Sequence, residues 1–224
     1  MRRTISVLAV VVKGAYTEIE RLDKMLCTPQ TTRYPSWSLS WVSLEGPAST
    51  GENNIFQVGF AKCPAFSVCP YNGGALYYFS YYERATGVCG ADFREWHVED
   101  ALVPNPGAAG YHFFQVSKVG TTYNLYIDET FIRSKSVHDV ETCWGGVKSA
   151  EWQNETLNDN DQAGGRVANP QGFHKNQYQT SAGWQNANRT LGSKCNANSL
   201  PGIWHCNTSG TTANYFDAYD GRVP

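Results

Sequence analysis

Two glutamates, Glu151 and Glu155, stand four residues apart in "SAEWQNETLNDNDQAGG", the stretch from 149 to 165. The segment begins as an alternating strand and ends in turn residues. On a regular strand, positions four apart share a face and lie about 13 Å from each other, at ~3.3 Å per residue. The carboxylates of glycosidases sit roughly 5–9.5 Å apart. The two glutamates are therefore not an acid–base couple by themselves, and each must work with partners from other strands. A further residue with chemical use is Gln57, inside the strand-like "NIFQVGF". A glutamate can take a proton from water, and a neutral amide can orient that water and donate to a developing oxyanion.

Other chemistries lack their signatures. There is no His-x-x-x-His, no Gly-x-Ser-x-Gly, and no Cys/His pairing of recognised spacing. His97, His112, His138, His174 and His205 show no ligand spacing and read as structural or surface residues. No metal and no cofactor are expected. Net charge is −2, and no basic stripe runs along the chain, so nucleic acid and anionic membrane are poor partners. No apolar run approaches the ~20 residues of a membrane-spanning helix. Asn154, Asn188 and Asn207 sit in N-x-S/T sequons, which hint at surface loops.

The elements that would position these groups are strands. Aromatics make up 13% and charged residues 17%, a β-rich and turn-rich composition. "SWSLSWVSLEG" puts Trp37, Leu39, Trp41, Ser43 and Glu45 on one face, with Val42 and Leu44 on the other. "ALYYFSYYER" reads as a long aromatic strand, and "GYHFFQVSKVGTTYNLYIDETFIR" as two strands about a Gly120 turn. "DFREWHVEDAL" (92–102) is the best helix candidate. The last sixty residues read as long polar loops plus a final strand, "ANYFDAYD". The fold class is all-β: a two-sheet antiparallel sandwich or jelly roll. Residues 1–12 read as a signal remnant or a first strand, and 13–224 as one sandwich domain.

Seven cysteines stand at 27, 63, 69, 89, 143, 195 and 206. None forms a C-x-x-C pair. Cys63 with Cys69, and Cys195 with Cys206, flank short loops and read as disulfide staples. That implies an oxidising compartment and a secreted, extracellular protein.

Four segments in order resemble the glutamic peptidases, the eqolisin family, or a divergent bacterial-type relative. "WVSLEG" is similar to that family's Trp-Val-Gly-Ile-Asp-Gly, and "IFQVGF" to its Ile-Leu-Gln-Thr-Gly strand. "YFSYYE" stands in the place of its Tyr-x-Ala-Trp-Tyr-Glu strand, and "SAEWQNE" looks like its Ala-Glu-aromatic-Ile-x-Glu segment. The resemblance covers about half the chain, roughly residues 36 to 156. It implies a concanavalin A-like sandwich with one concave sheet. It also implies Gln57 and Glu155 as the catalytic pair, on neighbouring strands, with Trp41, Glu45, Tyr81 and Glu83 lining the substrate groove. Ser43-Leu44-Glu45 replaces the family's Gly-Ile-Asp, and Gln153 and Asn154 replace two apolar residues.

The function expected from the resemblance is a secreted endopeptidase favouring acid, a monomer acting on protein or peptide substrates. The alternative is a carbohydrate-binding or carbohydrate-active sandwich with a polysaccharide partner, or a non-catalytic surface protein. The laminarinase-type Glu-x-Asp-x-Glu strand is not reproduced, because Gln153 stands where the Asp would be.

Overall fold

A computed structural model describes residues 2–8, 12–22, 24–26, 38–45, 55–62, 75–87, 90–99, 110–120, 122–136, 147, 149–156, 161–187, 204–207 and 214–224. The described elements are all strands. In chain order they are β1 (Arg2–Leu8), β2 (Gly14–Arg21), β3 (Ser38–Glu45), β4 (Ile55–Lys62) and β5 (Ala75–Gly87). Then come β6 (Gly90–Glu99), β7 (Gly110–Val119), β8 (Thr122–Ile127), β9 (Thr130–Ser136) and β10 (Ser149–Thr156). The last five are β11 (Gly165–Arg166), β12 (Gln171–Thr180), β13 (Gly183–Asn186), β14 (Trp204–Asn207) and β15 (Phe216–Asp220).

Two sheets pack face to face, the concanavalin A-like arrangement. The first runs β1-β10-β3-β4-β5-β6, antiparallel throughout. The second runs β11-β15-β12-β2-β7-β8-β9, with β13 on β12 and β14 on β15. Alternation decides which residues fill the space between. Val42, Leu44, Phe56, Val58 and Trp152 from the first sheet meet Ile19, Phe114, Tyr123, Leu125 and Phe173 from the second, all buried. Phe56 packs on Tyr123 with ring centroids 4.8 Å apart, and Phe60 on Phe114 at 5.0 Å. Trp152 Nε1 donates to Tyr16 O across the layers at 2.8 Å, so the largest buried ring also satisfies its polar atom.

Three sequence expectations are corrected here. Residues 92–99 of the helix candidate lie in β6, paired antiparallel to β5. In "DFREWHVE" Trp96 and Val98 keep a strand's alternation while Phe93 is out of phase, and pairing to a thirteen-residue neighbour overrides a weak helical preference. The hairpin after Gly120 is followed by a second, because Asp128 and Glu129 both take positive φ (48° and 63°) and turn the chain into β9. Both central residues of a two-residue turn can adopt this conformation, but Asn-Gly is its usual signature, and Asp-Glu conceals it. The last sixty residues hold β11 to β15 rather than loops and one strand. Polar Gln and Asn hid β12, whose register shifts between His174 and Gln177. Cys63, Cys69 and Cys195 lie outside the described residues, as does any pairing they make.

Candidate functional site

The site is built on the face of the first sheet that points away from the second. Trp41, Ser43 and Glu45 on β3 alternate with the core residues Val42 and Leu44. By the same alternation Gln57 lies on this outer face of β4, and Ser149, Glu151, Gln153 and Glu155 on that of β10. The register joins them. Ser43 stands opposite Gln57 on one side and Glu151 on the other, while Glu45 faces Ser149 and Trp41 faces Gln153.

Although it is the outer face, it is not bare. Trp41 is 2% exposed, Glu45 3%, Gln57 1%, and Ser43 and Gln153 are fully buried. Buried polar groups need partners, and Gln153 is the hub. Its Nε2 donates to Glu45 Oε1 at 2.8 Å and to Glu151 Oε2 at 3.0 Å, with Ser43 Oγ at 3.1 Å sharing one of these two protons. Ser43 Oγ donates to Glu45 Oε1 at 3.0 Å, and Ser149 Oγ to Glu151 Oε1 at 3.3 Å. Two carboxylates are thus held on one amide nitrogen. Their bonded oxygens can be no further apart than the two hydrogen bonds laid end to end. Gln153 Oε1 is buried with no hydrogen-bond partner among the described residues.

One glycine permits this arrangement. A Cβ on Gly59 would lie 2.0 Å from Ser40 O and 2.6 Å from Trp41 Cα. Only a residue without a side chain lets β4 approach β3 so closely beneath Trp41.

Of the residues singled out in the sequence, Gln57, Trp41 and Glu45 come together on this face. Glu155 shares the face but not the row. β3 lies between its strand and that of Gln57, so the two are not on neighbouring strands. Glu155 stands opposite Leu39, four residues, or about 13 Å, along β10 from the row of Gln57. The glutamate in that row is Glu151. On β5, Ser80 stands opposite Gln57, whereas Tyr81 stands opposite Phe56, and Glu83 opposite Glu95 of β6. A one-residue offset exchanges the faces of a strand, and aromatic residues at both parities of "ALYYFSYYER" leave the register open.

Glu151, Gln153 and Ser43 are what the sequence reading missed as a unit. The available signal was their parity with Gln57. What could not be read was which rows align.

A second polar cluster lies on the opposite side of the same two strands. Lys24, Ser40 and Asn154 meet between the sheets. Lys24 Nζ donates to Leu39 O at 3.2 Å and Asn154 Oδ1 at 3.0 Å, and also bonds Ser40 Oγ. Ser40 Oγ in turn has two acceptors within reach of its single proton, Asn154 Oδ1 and, at 2.8 Å, Gln171 Oε1. Burial pushes the Lys24 amine down from 10.5 to about 7. Asn154 is 1% exposed, so this sequon is in a packed strand and not a surface loop.

The sequence matches no protein-family model and no curated protein. Solved structures similar in arrangement include a glycoside hydrolase family 16 endo-glucanase from Bacteroides ovatus. It shows 7% identity and a TM-score of 0.40 over 65% of this chain and 55% of that one. β-Agarase A from Zobellia galactanivorans gives 11% and 0.41 over 71% and 57%. Sheep galectin-11 gives 12% and 0.34 over 68% and 90%. The chain thus spans little more than half the length of the endo-glucanase and the agarase. These proteins are similar in sandwich architecture.

Proposed function

We propose that this protein is a hydrolase that uses Glu45 and Glu151 as an acid–base pair, with glycosidic bonds of a polysaccharide as its substrate. The observation that carries the reading is the single nitrogen of Gln153 bonded to both carboxylates. It keeps the bonded oxygens closer together than the ~6.5–9.5 Å of inverting glycosidases, which leaves the pair compatible with the spacing of about 5–5.5 Å used by retaining ones. In such a pair one carboxyl protonates the leaving oxygen. The other attacks the anomeric carbon, and water later releases the product. The Gln153 amide holds both side chains in place. The carbohydrate-active enzymes similar in architecture agree with the substrate class without establishing it.

A second reading, peptide hydrolysis, is favoured by one specific observation: Gln57 and Glu151 occupy one row across Ser43. The amide would orient water and stabilise the oxyanion, with Glu151 as the base. The pairing of Gln57 with Glu155 remains the form that the family resemblance implies.

The test is to incubate purified protein with β-glucans, agarose and a denatured protein, from strongly acid to neutral pH. Reducing ends and new amino termini are measured in parallel, for the wild type and for Glu45→Gln, Glu151→Gln and Glu155→Gln. New reducing ends that vanish in both Glu45→Gln and Glu151→Gln are expected. Peptide release abolished by Glu151→Gln and Gln57→Ala, with Glu45→Gln active, would replace the first reading by the second. Loss only in Glu155→Gln would sink both arrangements.

A further inference from the structure

The solvent face of the second sheet carries a pocket unrelated to the carboxylate pair. Its volume is about 340 Å³, and its walls are Glu18, Tyr111, Phe113, Asp128 and Glu129. Four of these five residues are fixed from behind. Tyr111 stacks on His174 with centroids 4.2 Å apart, and Tyr215 caps the other contact of that imidazole at 4.3 Å. Phe113 is held edge-on by Tyr16 at 4.6 Å. Glu18 accepts from Tyr16 Oη at 3.0 Å and pairs with Lys175 at 2.7 Å. Asp128 is held by His112 at 2.9 Å and by Phe113 N at 3.0 Å. Asp128 and Glu129 reach the rim because both sit in the positive-φ turn between β8 and β9.

Three carboxylates therefore converge on two aromatic walls. Burial, followed by Glu20, Tyr215, Asp217 and Glu18, pushes the neighbouring Tyr111 up to about 12, and burial with Glu18 and Glu129 raises Tyr16 further. An anionic ligand is repelled here. A hard metal ion is poorly served by walls that are half carbon. A cation with a greasy surface satisfies both, since ring faces and carboxylates attract it together.

We propose that this pocket binds an organic ammonium group, of the size of a trimethylammonium or a lysine side-chain end. Tyr111 and Phe113 form its walls, and Glu18, Asp128 and Glu129 supply the counter-charge. The site is independent of the hydrolase reading and stands on the opposite sheet.

The test uses choline and its neutral isostere 3,3-dimethylbutan-1-ol, titrated separately into ¹⁵N-labelled wild-type protein. Choline should shift amides of β7 and the β8–β9 turn, with a dissociation constant on the order of millimolar. The isostere should bind at least about tenfold more weakly, because only the charge differs. Added salt should weaken choline alone. Glu129→Gln, on an exposed turn, should fold normally and bind choline about three- to fivefold more weakly, and Tyr111→Leu should abolish the shifts. Equal binding of choline and isostere would show an apolar cleft and overturn the proposal. No choline shift at tens of millimolar, or wild-type affinity in Glu129→Gln and Tyr111→Leu, would also overturn it.

Discussion

Strands β3 and β10 hold two polar clusters, one on each face, and the clusters are built to opposite rules. Between the sheets, an amine is surrounded by neutral acceptors: Leu39 O, Ser40 Oγ and Asn154 Oδ1. On the outer face, two carboxylates converge on one neutral amide, with hydroxyls as the other donors. Among the described residues no carboxylate bonds the inner amine, and burial favours the neutral form of Lys24. The outer cluster instead brings two carboxylates onto one amide nitrogen. Residues adjacent in sequence, Gln153 and Asn154, belong to different clusters and different tasks. One face seals the sandwich, and the other carries the pair proposed for acid–base work.

The comparison breaks most sharply at Glu151. Replacing it with Gln should lower hydrolysis by about 10²–10⁴-fold while the thermal midpoint stays near that of the wild type. A variant that loses its fold instead would make the outer cluster structural like the inner one.

Next in size is the pH dependence of Lys24. The unfolded chain binds this proton below about 10.5, the folded protein only below about 7. Between those values the unfolded state holds more protons, so stability rises with pH across the window. The penalty is complete below pH 7, and from the two pKa values it amounts to about 5 kcal/mol. Denaturant titrations should therefore show the wild type gaining stability relative to Lys24→Met steadily between pH 7 and 10.5. Parallel curves would mean that the amine stays charged inside.

Gly59→Ala should destabilise by about 3 kcal/mol, because backbone atoms of β3 occupy the space of the new methyl. Loss of stability with little change in the substrate or pH preference of the residual activity is expected. Ser149→Ala should have the smallest effect. It removes one donor to Glu151, at 3.3 Å, and should cost about 0.5–1 kcal/mol in transition-state stabilisation, read as a change in kcat/KM with unaltered stability.

What the sequence discloses follows from the same geometry. Alternation in "SWSLSWVSLEG" and "SAEWQNE" identifies β3 and β10 and assigns each residue to a face. It cannot say how far one strand slides along another. Gln57 could be matched to either glutamate until pairing through Ser43 selected the row of Glu151. The same limit turned Tyr81 away from the row of Gln57 and put Ser80 there. Lys24 gave no signal at all, since it lies outside any strand and its partners are 15 to 130 residues away. Strand β6 was hidden because Phe93, Trp96 and Val98 mix spacings of three and two, which suit a helix as well as a strand. Its partner β5 decides the matter.

The pairing of β1 with β10 has a bearing on solubility. Arg2 to Leu8 run antiparallel to Glu155 to Ser149 along the whole site-bearing strand. Were that segment clipped or displaced, β10 would become an open edge, offering a row of unpaired amides and carbonyls to any passing strand. The same seven residues that complete the sheet also move its edge away from the strand that bears the site.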